Sequence, residues 1–192
     1  MPGVLFARKR KKSKDILTEW REPKTRRTKF ITPDHPRYNR WRGHMQPRDR
    51  LIWDIMAASG LRISDAISLT RDQLQGGAPV IARKTGKPLM LQLEPALIDR
   101  ALRYMRPSDV YVFASRDDRR KGKPISRQAV EYQYRQIAQD LHLDGINAHS
   151  ARKLYAWDLY QRTGDVQAVQ RALQHAHLST TCLYLLSDRL TA

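Results

Sequence analysis

A chain of 192 residues is long enough to bury one sizeable core and short for two full domains. Its formal charge of +17, from 36 Lys+Arg against 19 Asp+Glu, and a pI near 10.5 point to a polyanionic partner, most simply nucleic acid, with a merely basic ribosomal-type protein as the bland rival. The single cysteine, Cys182, excludes an internal disulfide and a cysteine-based zinc site and suits a reducing compartment; no apolar run of about 18 residues exists to span a membrane.

The N-terminus MPGVLFARKRKKSK places a basic cluster after a short apolar stretch, the reverse of a secretory signal, so a cytoplasmic, DNA-associated protein without membrane contact is expected. Residues 1–50 hold 16 Lys+Arg and 5 Asp+Glu. Residues 1–29 are therefore read as a basic arm carrying Arg8, Lys9, Arg10, Lys11, Lys12, Arg26 and Arg27. Either it is a solvated tail or it orders on a polyanion. Thr32 to Pro47 follow with three prolines, and Tyr38 and Trp41 stand among arginines, set either to pack on the domain or to stack on DNA.

From Pro47 the apolar spacing of Leu51, Ile52, Ile55 and Met56 predicts a helix that stops at Ser59-Gly60, with a short helix from Ser64 to about Leu69. Val80–Ala82 and Leu89–Leu93 predict two short strands around Thr85-Gly86-Lys87. Glu94-Pro95 opens a further helix, and Val110 to Phe113 reads as a brief extended segment. The run from Arg119 to Lys123 is a flexible charged loop or a DNA contact, Lys121 and Lys123 included. Ser126 is a candidate N-cap for a helix bearing Val130, Tyr134, Ile137, Ala138 and Leu141. After Asp144-Gly145, helices are expected at His149–Gln161, Asp165–Leu173 and Ser179–Leu186. The expected class is α+β, mostly α-helical, with a small antiparallel sheet.

Four boxes carry chemistry: Ser59-Gly60-Leu61-Arg62-Ile63-Ser64-Asp65, His149-Ser150-Ala151-Arg152, Leu173-Gln174-His175, and Tyr184 nine residues beyond His175. In order and spacing they resemble the tyrosine recombinase (phage integrase) family, whose boxes run Thr-Gly-Leu-Arg-x-Ser-Glu, His-x-x-Arg, Leu-Gly-His and Tyr. The resemblance covers about residues 30–186, leaving 187–192 as a short C-terminal tail. The 30 to 45 residues before the first helix are too basic and too broken by proline to make the family's helical DNA clamp. A nearly bare catalytic domain is expected, resembling the small members that invert promoter segments.

The residue types suit phosphoryl transfer without a metal. Tyrosine is a poor nucleophile at a pKa near 10 and needs an activated phosphate. Arg62 and Arg152 offer permanently charged forks to the non-bridging oxygens, and the i, i+3 spacing of His149 and Arg152 puts both on one helix face. The resemblance implies that Tyr184 forms a 3′-phosphotyrosyl ester in site-specific recombination (integration, excision or inversion). It also implies that His149 and His175 assist proton transfer and that a turn lysine, Lys84 or its competitor Lys87, is the general acid; Lys87 otherwise serves as a DNA contact. Asp65 would hold an arginine or a backbone amide. No cofactor is implied; the partners would be double-stranded DNA with specific sites, a homotetramer on that DNA, and accessory DNA-bending proteins. Gln174 in place of the family glycine implies a less tight turn before His175. The rival outcomes are a topoisomerase-like nicking-closing enzyme and a DNA-binding accessory protein without turnover. His149, His175 and His177 lack the companion residues of a zinc motif, which leaves His177 as polar surface. Tyr184 without its offset from His175 would be an ordinary packing aromatic.

Overall fold

The computed structural model describes residues 28–186, apart from the side chains of Leu183, Tyr184 and Leu186. The chain enters along Thr28 to Thr32, stitched to the middle of the molecule: Lys29 donates its amide to the Gly145 carbonyl at 3.0 Å, and Phe30 and Ile31 are buried. Helix α1, Tyr38–His44, buries only Trp41. Trp41 meets Trp53 edge-on at 5.2 Å and Tyr134 at 5.9 Å, and Trp53 meets Tyr134 at 5.7 Å. This aromatic knot resolves the open reading of Trp41, which packs on the domain. Such pairs add about 0.5–1.5 kcal/mol each beyond their buried area. They explain a helix that local sequence does not predict, since seven residues following two prolines nucleate poorly without a packing partner.

Helix α2, Pro47–Ser59, starts with proline at a position that needs no amide donor and ends at Gly60, whose φ is 68°. It buries Leu51, Ile52, Trp53, Ile55 and Met56. A turn of helix, α3, spans Ile63–Ala66, shorter than predicted. A second, α4 at Arg71–Leu74, was not predicted although Thr70 and Gln73 form a reciprocal capping box legible as Thr-x-x-Gln. Strands β1, Val80–Ile81, and β2, Pro88–Leu89, pair antiparallel with Val80 opposite Leu89 and Ile81 opposite Pro88. They are shorter than predicted because residues 82–87 form the turn, with the Thr85 and Gly86 amides both donating to the Ala82 carbonyl. Helix α5 is Pro95–Tyr104. The segment Val110–Phe113 is no strand but a turn that buries Val112 and Phe113 and touches Thr70 through one bridge at Tyr111.

Helix α6, Arg127–Asp140, is capped by the Ser126 hydroxyl on the Ala129 amide, as the sequence suggests. Helix α7, Ala148–Thr163, is the axis of the molecule and packs on α2, α6 and the two helices that follow it, α8 (Val166–Leu173) and α9 (Leu178–Leu186). Covered on several sides, it buries Ser150 through Leu154 in succession and shows little amphipathic contrast. Its small residues Ala148, Ala151 and Ala156 let the neighbours approach. The main core lies between α2, α6 and the first half of α7; Ala156, Val169 and Leu173 form a second cluster where α8 docks. This mostly helical α+β arrangement with a two-stranded antiparallel sheet is the expected class. No helix among the described residues is long and apolar enough to cross a membrane.

Candidate active site

The first box sits where α2 ends. Gly60 has no alternative there: a Cβ would stand 2.5 Å from the Tyr155 ring, and its φ of 68° is left-handed. That reversal makes Arg62 the N-cap residue of α3, its carbonyl receiving the Asp65 and Ala66 amides at 2.9 Å. Asp65, only 3% exposed, turns its carboxylate to the amide of Arg83 at 3.2 Å, so the first box holds the β1–β2 turn by its backbone.

Arg152 lies in the second turn of α7 and is 5% exposed. Its two terminal nitrogens donate to the carbonyls of Gly60 and Leu173. One guanidinium thus ties the first box to the third across α7, a structural duty that the spacing of His149 and Arg152 does not reveal. Lys153 beside it is also buried and donates Nζ to the Thr28 carbonyl.

His149 occupies the first turn of α7, set by Asn147, whose side chain accepts the His149 amide at 2.9 Å while Ser150 accepts the Asn147 amide. His149 is exposed and lines a groove together with Arg127, Glu131, Arg135 and Asn147. Loss of water there lowers its pKa; the Glu131 carboxylate opposes the shift, and Arg152, Arg127 and Arg62 add to it. Arg127 and Glu131, ion-paired at 3.2 Å on α6, are neighbours that the motif spacing does not disclose.

His175 follows Gln174, the C-cap of α8, whose φ of 53° and ψ of 38° are left-handed. The expected slackening of this turn is not found. Gln174 adopts the conformation glycine would take, at a cost of about 1 kcal/mol. The turn is closed by the His175 amide on the Gln170 carbonyl at 3.1 Å and by Gln170 Nε2 on the His175 carbonyl at 3.2 Å. The half-buried imidazole pairs through Nδ1 with the Thr181 hydroxyl at 3.0 Å, and Thr181 is fully buried in α9 one helical turn before Tyr184. Desolvation, then the cations Arg152, Arg62 and Lys84, depress its pKa to about 4.

Arg152 thus ties the ends of the first and third boxes, while Asp65 and Gln174 tie the turn bearing Lys84 to both, and the charges of Arg62 and Arg152 lower the pKa of His149 and of His175 alike. Lys84 and Lys87 both stand exposed in the turn beyond the end of β1, and the Lys84 charge is among those that lower the His175 pKa. Tyr184 lies on α9, with its side chain outside the described residues. Lys121 and Lys123 are exposed on a loop after a 3₁₀ turn at 118–120. Arg8, Lys9, Arg10, Lys11, Lys12, Arg26 and Arg27 lie outside the described residues. His177 is exposed.

The model of the phage integrase family matches residues 34–189. Among similar proteins are tyrosine recombinase XerD of Ralstonia nicotianae (strain ATCC BAA-1114 / GMI1000), 31% identical over 71% of this chain and 47% of that protein. Tyrosine recombinase XerC of Pseudomonas fluorescens (strain Pf0-1) is 34% identical over 71% and 47%. The chain thus spans about half the length of the relatives it matches. Among solved structures, XerA recombinase aligns with a TM-score of 0.62 at 20% identity, over 78% of this chain and 58% of that one. A lambda integrase tetramer bound to a Holliday junction aligns with a TM-score of 0.66 at 20% identity, over 89% and 51%. These likenesses are of fold, and the family match over most of the sequence carries more: this chain belongs to the phage integrase family, the tyrosine recombinases.

Proposed function

We propose that the chain is the catalytic domain of a site-specific DNA recombinase, with the basic segment before Thr28 as a DNA-binding arm; the expected arm of residues 1–29 is shortened because Thr28 and Lys29 are hydrogen-bonded to the folded body. The observation that carries this reading is the joining of separate boxes in a member of this family: Arg152 donates to the Gly60 and Leu173 carbonyls, and Asp65 and Gln174 hold the turn that bears Lys84. Tyr184 would supply the nucleophile. Its phenolic oxygen bonds to the scissile phosphorus as the bond from phosphorus to the 5′ oxygen breaks. The phenolic proton passes to the histidine pair, and the Lys84 ammonium gives a proton to the departing oxygen, leaving a 3′-phosphotyrosyl ester and a free 5′-hydroxyl.

Arg62 and Arg152 stabilise the charge of the pentacoordinate state, the work a metal ion does elsewhere. Desolvation and these cations lower the pKa of both histidines, which leaves a ring nitrogen unprotonated at neutral pH but makes each a weak base in the free protein. A docked phosphate, being anionic, offsets those cations and raises the histidines' basicity when it is needed. The ester conserves bond energy, and attack by a second 5′-hydroxyl reverses the step on a new strand. By family resemblance the partners are double-stranded DNA with specific sites, a homotetramer and accessory DNA-bending proteins, with Lys87, Lys121 and Lys123 as further phosphate contacts.

The test is a nicked suicide duplex from DNA flanking the coding sequence, in EDTA, with the covalent junction mapped. A protease-sensitive adduct at Tyr184 that is lost in Tyr184→Phe is expected. An equal yield from Tyr184→Phe, or complete loss in EDTA, overturns the mechanism. Junctions formed between paired sites separate recombination from nicking-closing, and binding without adduct would leave only an accessory role.

A further inference from the structure

Gln174 carries two features that the chemistry above does not use. Its backbone is left-handed, which a glycine would adopt without strain, and its side-chain amide is committed elsewhere. Oε1 accepts the Thr85 hydroxyl at 2.9 Å and Nε2 donates to the Pro88 carbonyl at 3.2 Å. Thr85 lies in the β1–β2 turn and Pro88 opens β2, 89 and 86 residues away in sequence. On the other side of Lys84, the Arg83 amide is held by Asp65 at 3.2 Å. The residues flanking Lys84 are therefore pinned from two directions, one from α3 and one from the residue immediately before His175.

A hairpin with two paired residues per strand has little stability of its own, so its turn takes the position its outside contacts dictate. We infer that Gln174 is a positioning residue: it latches the β1–β2 turn to the His175 turn and so holds the Lys84 ammonium where the departing 5′ oxygen must be protonated. This rests on the strand-transfer reading above. Gln174 need not touch DNA to act, because it works through Thr85 and the backbone at Pro88.

The test compares the wild-type chain with Gln174→Gly, Thr85→Val, their double variant and Lys84→Ala. The substrates are the duplex on which the adduct has been mapped and the same duplex with sulfur as the bridging 5′ atom, which leaves without protonation. Gln174→Gly removes the latch and relieves the backbone, so thermal stability should hold or rise. Amide exchange at Ala82, Arg83, Thr85 and Gly86 should accelerate. Adduct formation on the oxygen substrate should slow about tenfold, as a misplacement under 1 Å allows, and should return to within about twofold of wild type on the sulfur substrate. Thr85→Val, which removes one of the two bonds, should move both readouts in the same direction by no more than Gln174→Gly does, and the double variant should slow no further than Gln174→Gly alone. Unchanged exchange with an unchanged oxygen rate, equal slowing on both substrates, or additive effects would overturn the latch. A wild-type chain giving adduct with neither substrate overturns the strand-transfer reading and this inference with it, while the exchange data report the latch in the free protein.

Discussion

Arg152 is 5% exposed, with one terminal nitrogen on the Gly60 carbonyl and the other on the Leu173 carbonyl. Truncation would leave two acceptors unpaired in the core, a cost of about 1–3 kcal/mol for each group so stranded. Arg152→Ala should therefore lower unfolding free energy by about 3 kcal/mol in urea titrations, whereas Arg152→Lys, which keeps charge but cannot span both carbonyls, should fall between it and wild type. Equal stability of Arg152→Ala and wild type would show that the two carbonyls do not depend on it. His175 gives a second prediction at this scale. Its folded pKa of about 4 lies below the usual value of 6.5, so between those values the unfolded chain binds the proton more readily. Stability is then fully present above about pH 6.5 and declines as pH falls towards 4; His149, also depressed, acts in the same direction. Stability measured from pH 7.5 to 4.5 should drop less steeply in His175→Gln, and parallel curves would contradict the shift.

Among elements, the N-terminus of α7 concentrates the local design. Asn147 and Ser150 cap it reciprocally, Ser150 reaches on to the Lys29 carbonyl, and Asn147 Nδ2 reaches Thr28. The same cap that ends the turn after Gly145 thus fastens the entering segment Thr28–Lys29 and sets the backbone of His149. Asn147→Ala should cost about 1 kcal/mol of stability and speed amide exchange at the first turn of α7, with α6 unaffected. Exchange unchanged from wild type would show the cap to be dispensable. The β1–β2 turn is the contrasting case, since its own pairing is slight and Asp65 and Gln174 hold it from outside. Helix boundaries with local chemistry, Pro47 and Gly60 for α2 and Ser126 for α6, are legible in the sequence. Helix α1 is not, because its helicity depends on Trp41 meeting Trp53 and Tyr134.

For the whole molecule, charge distribution is the governing property. Residues 1–27 hold 10 Lys+Arg and 3 Asp+Glu, a dense cationic segment attached to a chain of total charge +17. If this segment meets DNA phosphates, deleting it should weaken binding and flatten the salt dependence, each lost phosphate contact reducing the slope of log affinity against log salt by about 0.9. Titrations of the full chain and a 28–192 chain at several salt concentrations check this, and identical slopes would leave the arm as a solvated tail. Thr28 and Lys29 stay in the shorter chain because their hydrogen bonds to Asn147, Lys153 and Gly145 make them part of the folded body.

The sequence by itself determined which chemical groups are present and in what order, because four short boxes carry their own signals: a glycine that must turn left-handed, an i, i+3 pair on a helix, and a histidine at a set distance from a tyrosine. It also determined the mostly helical class, since caps and apolar spacing are local. The tertiary structure alone decided what Arg152 grips, that Asp65 holds the amide of Arg83, and that Gln174 spans to the hairpin. Each of these joins residues many positions apart, 92 in the case of Arg152 and Gly60. Such pairings are set by how α7 packs against α2 and α8, a balance of many buried contacts that no window of sequence contains.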